Sequence, residues 1–274
     1  MIYQSYRPAP ALQAYVKEFL LLHFDFTGVS VRPMKSYTPH PEQCLTFNPR
    51  GRLTAINDQT CEIQRRNYSY LSGQQISCLH LHFDQDYLML KIVFQPGVLF
   101  RLLGIPLVEF ANQYVDAESV LNKEMRTVNE QLANAESYIK MIEVVEKYLL
   151  VKVNDLRIKS QPIDEIGKIL RDQPSKFSLE WLAGQACLSP RQFERKFLER
   201  IGVSPRLFGR IARFNKAFEL KEKNPGIDWL SVAITCGYVD FQHLNKDFKE
   251  FSGVTPTALL KKTANAVEKV LKLV

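Results

Sequence analysis

The stretch GYVDFQHLNKDFKEFSGVTP, residues 237–256, has a degenerate copy fifty-one residues earlier, ACLSPRQFERKFLERIGVSP, residues 186–205. The apolar positions are kept and the charged ones change. A chain that repeats an apolar frame must fold that frame twice, so what varies is what each copy shows to water. In the first copy Leu179, Leu182 and Ala183 recur at helical steps after Ser178, a good N-cap. A tight turn at Cys187-Leu188 follows. Ser189-Pro190-Arg191-Gln192 then offers an N-cap serine, a proline at the first helical position and a capping-box glutamine. In the helix that this starts, Phe193 and Phe197 lie four apart and face inward, Arg191, Glu194 and Arg195 share the opposite face, and Gly202 ends it.

The second copy follows the same plan. Asp228 caps a helix over 229–236 with Leu230 and Ala233 inward, and Gly237 supplies a left-handed turn residue. Asp240 caps the last long helix, whose buried stripe is Leu244, Phe248 and Phe251, leaving Gln242, Asn245 and Lys246 outside. Two helices joined by a short turn, the second with a narrow polar face, make a helix-turn-helix. An α-helix fits the major groove of B-DNA, where arginine can fork onto guanine and asparagine or glutamine onto adenine. One chain would then carry two readers. Residues 206–223 form a connecting helix with apolar residues around much of its circumference, able to fix the separation of the readers near one helical turn of DNA, about 34 Å. On it Arg206, Arg210, Arg213 and Lys216 are candidates for phosphate contacts, with structural salt bridges as the rival reading.

Charge agrees with this division. The chain has 274 residues and a net charge of +7. Residues 1–175 hold nineteen basic and nineteen acidic side chains, whereas 176–262 hold fifteen and nine. A neutral part joined to a basic part suits a sensor fused to a polyanion binder. The length allows two domains, read as 1–153, a linker at 154–162, and 163–274. The first is β-rich: LLHFDF, QCLTFN, YSYLSG, CLHLHF and MLKIVF read as short strands, after a helix at 11–19 and before a short helix ending at Gly104. From about residue 122 the stripe Val128, Leu132, Ala135, Ile139, Ile142 and Leu149 reads as one long amphipathic helix, packing within the subunit or against a second copy.

The C-terminal residues SLEWLA, LSPRQFERKF, GVSP, RIARFNKAFEL and IDWLSVAITCGYVDFQHLNKDFKEFSGVTP resemble the AraC/XylS family of bacterial transcription regulators over 163–262. The resemblance implies base reading by Arg191, Glu194 and Arg195, with Pro190 and Gln192 beside them, and in the second helix by Phe241, Gln242, His243, Asn245 and Lys246. Two positions depart from the pattern. Cys187 stands where glycine is frequent, and Phe241 is unusually apolar, so it either meets a thymine methyl or caps the core. YRPAPALQAYVKEF and FQPGVLFRLLGIPLVEFANQYVD resemble the domain that precedes this module in many members, which implies a cupin-like β domain serving as sensor or dimerisation platform. The expected fold is therefore α+β: a cupin-like N-terminal β domain, then an all-α domain of two helix-turn-helix subdomains joined by a linker helix.

Other chemistry finds little footing. Five cysteines without CxxC spacing fit buried thiols in a reducing compartment, not a disulfide framework or zinc finger. His80-Leu81-His82, with His40 and Glu42 elsewhere and Asp84 on the same face, lacks the rest of a cupin metal spacing, so no metal or other cofactor is expected. GxSxG, phosphate-loop and HExxH motifs are missing, which leaves an enzyme no support. No apolar run could span a bilayer and no signal peptide is read, so the expected place is the cytoplasm. The expected partners are double-stranded DNA, RNA polymerase by resemblance, and a small-molecule effector, a second copy, or both. The rival is a nucleoid-type architectural protein, which would need Lys and Arg rather than Glu194, Gln242 and Asn245 on its reading faces.

Overall fold

The segment DYLMLKIVF, residues 86–94, is buried after its first residue. Tyr87, Met89 and Lys91 point to one side and Leu88, Leu90, Ile92 and Phe94 to the other, the period-2 alternation of a strand covered on both faces. This segment organises the N-terminal half of the computed structural model, which describes residues 1–29, 32–57, 60–121, 124–156, 158–264 and 267. Ten strands precede residue 117: β1 Ile2–Tyr6, β2 Val16–Asp25, β3 Lys35–Tyr37, β4 Cys44–Arg50, β5 Leu53–Asn57, β6 Glu62–Arg65, β7 Ser69–Ser72, β8 Leu79–Phe83, β9 Asp86–Phe94 and β10 Tyr114–Asp116. They form a six-stranded sheet in the order β1-β2-β9-β4-β7-β10 and a four-stranded sheet in the order β3-β8-β5-β6, with every pairing antiparallel.

Between the sheets Phe24, Phe26, Leu53, Phe83, Tyr87 and Met89 make one apolar cluster. On the outer face of the larger sheet, Leu90 and Ile92 join a second cluster built with α1 Val98–Leu103, α2 Ala117–Leu121, α3 Glu124–Ala133 and α4 Tyr138–Asn154. The expected α+β class with a β domain followed by helices is the observed one.

Local details differ from the sequence expectations in instructive ways. The helix expected over 11–19 is a single 3-10 turn, Pro10–Leu12, followed by β2. The backbone from Val16 onward pairs with β1 and β9 on its two sides, and the strand alternation of that segment prevails over its helical periodicity. The long helix expected from residue 122 is two helices, because Ser137 caps a fresh start, its side chain accepting from the Lys140 N–H at 3.2 Å. Residues 122 and 123 lie outside the described residues. Val128, Leu132, Ile142 and Leu149 are buried in the domain's own core, while Ile139 stays exposed. Most of the stripe is thus consumed within the subunit.

Beyond Asn154 the chain is helical: α5 Pro162–Asp172, α6 Leu179–Gln185, α7 Pro190–Ile201, α8 Pro205–Lys223, α9 Trp229–Thr235, α10 Phe241–Ser252 and α11 Pro256–Ala264. Phe193, Phe197 and Phe208 anchor one core with α5 and α6. Phe214, Leu244, Phe248 and Phe251 anchor another with α9. Helix α8 supplies Phe208 to the first and Ile211 and Phe214 to the second, so the connector is shared by both subdomains.

Candidate nucleic-acid interface

Each helix pair is set by its turn and caps. Helix α6 ends at Ala186, Cys187 takes φ +55°, and the Leu188 N–H donates to the Ala183 carbonyl at 3.0 Å. Helix α9 ends at Cys236, Gly237 takes φ +77°, and the Tyr238 N–H donates to the Ala233 carbonyl at 2.9 Å. The turn needs one left-handed residue in each copy, and the first copy accepts a cysteine there. A Cβ at Gly237 would also meet the Ser175 side chain at 2.4 Å, so the second copy has no such tolerance. The copies are not superposable in register. Val239 is an extra residue in the second turn, 83% exposed, so the offset is fifty before the turn and fifty-one after it. Leu230, expected inward, is 53% exposed, because the buried pair on α9 is Val232 and Ala233.

The second helix of each pair starts as its sequence dictates. Ser189 and Gln192 form a reciprocal capping box, the Gln192 N–H reaching Ser189 Oγ at 3.3 Å and the Ser189 N–H reaching Gln192 Oε1 at 3.2 Å. Asp240 caps α10 by accepting from the His243 N–H at 2.8 Å, and it also meets His243 Nδ1 at 2.9 Å. Those backbone and side-chain bonds pull the Asp240 carboxyl below its ordinary pKa.

Pro190, Arg191, Gln192, Glu194 and Arg195 of α7 are exposed, as are Gln242, His243 and Lys246 of α10; Asn245 is half-buried. Phe241 is half-buried and packs on the second core, which favours its role as a cap. Glu194 from α7, Arg206 and Arg210 from α8, and His243 and Lys246 from α10 line one cleft, which Arg191, Arg195, Gln242 and Asn245 do not line.

The connector arginines divide. Arg206 is exposed. Arg210 bonds both oxygens of Glu250, at 3.0 and 2.6 Å, and Asp247 at 2.7 Å. Arg213 reaches Asp247 at 3.4 Å and lies over the Tyr238 ring at 4.1 Å. Hydrogen bonds to Glu250 and Asp247 push the Arg210 pKa above its already high ordinary value. Of the two readings given to these arginines, the structural one describes Arg210 and Arg213. The sequence reading missed the acidic partner: Asp247 looks like an ordinary surface aspartate beside Lys246, yet it is 4% exposed. Two arginines three apart on the facing helix were the available signal.

Residues 182–262 match the model of a helix-turn-helix domain. It is an AraC-type DNA-binding domain. Residues 4–116 match a domain of unknown function, DUF6597. A curated relative, an uncharacterised HTH-type transcriptional regulator of Haemophilus influenzae, is 29% identical over 119 residues, which is 43% of this chain and 38% of the relative. Among solved structures, unsaturated-fatty-acid-bound ToxT from Vibrio cholerae superposes with a TM-score of 0.49 at 12% identity, over 88% of this chain and 94% of that one. The DNA-binding domain of AdpA in complex with a target DNA gives 0.35 at 25% identity, over 38% and 95%. The Haemophilus relative and AdpA are transcription regulators by their descriptions. No described helix is long and apolar enough to cross a membrane.

Residues 37–43 are one of the segments through which the AraC-type domain is fastened to the β domain. The Asn215 side chain of α8 donates to the Pro39 carbonyl at 2.6 Å. The Gln43 side chain donates to the Ile201 carbonyl at 2.8 Å and to that of Arg200 at 3.4 Å, satisfying end-of-helix carbonyls of α7. From the same segment Tyr37, His40 and Glu42 line a cavity between the two sheets. Lys91 Nζ meets Glu42 there and donates to Tyr37 Oη at 2.9 Å; Tyr37 in turn donates to Glu42 at 2.6 Å. Burial disfavours the Glu42 charge, but Lys91 and His40 outweigh it and hold that carboxyl at about 2.

Proposed function

We propose that this protein is a sequence-specific transcription regulator of the cytoplasm that lays α7 and α10 into successive major grooves, with the β domain as an effector-responsive control unit. The carrying observation is a cleft lined by two independently capped helices whose exposed side chains are mixed rather than uniformly basic. The base readers are Arg191, Glu194 and Arg195 in one half-site and Gln242, His243, Asn245 and Lys246 in the other, with Arg206 on phosphate. Both readers lie in one chain, so occupying one site needs no second copy. A regulator of this kind placed beside RNA polymerase activates. Control from the β domain is supported by residues 37–43, which touch the cavity on one side and α7 and α8 on the other.

Selecting bound DNA from a random pool tests the reading, with competition by random DNA as its quantitative arm. An architectural binder would leave the pool unenriched. On the selected site Arg195→Ala should relax preference at bases of one half, at a cost of about 1–3 kcal/mol against the preferred base, and Lys246→Ala should do so in the other half. Uniform weakening on all sequences would move both residues to the phosphates. Affinity for any DNA should fall with salt, through counterion release from the contacted phosphates.

A further inference from the structure

We propose that the cavity between the two sheets binds a small organic monoanion with an apolar body, and that Arg66 holds its negative group. This deepens the effector reading and rests on it. The cavity measures about 90 Å³, and Leu20, Leu22, Leu53, Leu79, Leu81 and Met89 make much of its wall. Its polar side holds Lys35, Lys91 and Arg66, and Lys35 lies over the Tyr3 ring at 5.1 Å. Lys91 is neutralised by Glu42. Arg66 is 5% exposed, and among the described residues no carboxylate lies within ion-pair distance of it. Its guanidinium sits 3.5 Å from the centre of the Tyr114 ring and 6.0 Å from that of Tyr70, and it donates to the Gln64 side chain. Gln64 in turn donates to Glu62, whose charge also favours the Arg66 cation. Burial lowers the Arg66 pKa from its ordinary value.

A buried cation held by rings and an amide, with no carboxylate at ion-pair distance among the described residues, is costly to keep. A guanidinium carries five N–H donors in a planar fork that matches a carboxylate. A ligand bringing one negative charge would pair with Arg66 as Glu42 pairs with Lys91, and a neutral ligand would leave the guanidinium as it is. Size sets the body: an engineered apolar cavity of about 150 Å³ admits benzene. A smaller cavity of about 90 Å³ therefore suits an acid of a few carbons.

The probes are butyrate and its neutral counterpart butyramide, titrated calorimetrically into the full chain, into Arg66→Gln and into Arg66→Met, with thermal melts to verify folding. The expected result is a preference for butyrate over butyramide of tenfold or more in the unaltered protein, abolished in both folded variants. Equal binding of the two probes, or neither binding at millimolar concentration, overturns the proposal without any variant. A preference that survives in Arg66→Gln assigns the anion to another cation, Lys91 first, and also overturns it. DNA affinity on the selected site separates this proposal from the reading beneath it. If butyrate binds through Arg66 but leaves DNA affinity unchanged, the site stands and effector control falls. If butyramide binds as tightly and shifts DNA affinity as much, effector control stands and the anion class falls.

Discussion

Asp164→Ala should lower stability by about 3–5 kcal/mol, the usual result of removing one partner of a buried ion pair. Asp164 is 4% exposed and accepts from Arg200 Nη1 at 2.7 Å. Its other oxygen accepts from the Gln161 N–H at 2.9 Å, capping α5. Arg200 is itself 5% exposed, with its guanidinium 4.8 Å from the centre of the Phe100 ring of the β domain. Alanine at 164 would strand that cation at the junction of the two halves. A urea titration of the first unfolding transition measures the loss. The pairing of Asp164→Ala with Arg200→Met decides the cause, because removing both charges should restore much of the stability lost to one. If the double variant is as unstable as the sum of the single ones, the loss comes from the helix cap and packing, not from the stranded charge.

Phe248→Ala should cost about 3–5 kcal/mol and leave base preference unchanged. Phe248 is fully buried, with ring centres 4.7 Å from Phe214 and 5.4 Å from Trp229, so truncation opens the centre of the second subdomain. Lys246, two residues earlier, is exposed on the cleft. The two substitutions should therefore separate cleanly: Phe248→Ala moves the melting temperature, Lys246→Ala the selected sequence. A Phe248→Ala protein with unchanged melting and altered base preference would reverse the faces assigned to α10.

The helix-turn-helix pairs were legible because their signals are local. Caps at Ser178, Ser189, Asp228 and Asp240, and the stripe Phe193–Phe197 and its counterpart, lie within a few residues of what they specify. The five strands read from sequence correspond to β2, β4, β7, β8 and β9, which are the apolar ones. Missed were β1, β3, β5, β6 and β10; of these β3 and β10 depend on distant partners, Lys35 pairing with Leu81 and Tyr114 with Ser72. The cavity was not legible either. Lys91 sits inside the apolar run MLKIVF, and nothing near it in sequence announces Glu42 as its partner forty-nine residues away. Polar pairs that close over long separations leave no periodic trace.

Residues 37–43 carry a thermodynamic consequence. If the cavity takes an effector and α7 reads DNA, a segment that lines the cavity and touches the end of α7 and the middle of α8 ties the two binding equilibria into one cycle. Whatever factor an effector applies to the affinity for DNA, bound DNA must apply to the affinity for the effector. The size of that factor is bounded by the contacts that can be exchanged. The Gln43 and Asn215 amides contribute on the order of 1 kcal/mol per hydrogen bond, which places the exchange within the 1–3 kcal/mol usual for coupled sites, or about 5- to 150-fold. Operator DNA in a calorimeter cell should thus act on the cavity as an effector in its own right, tightening or loosening it from the far end of the molecule.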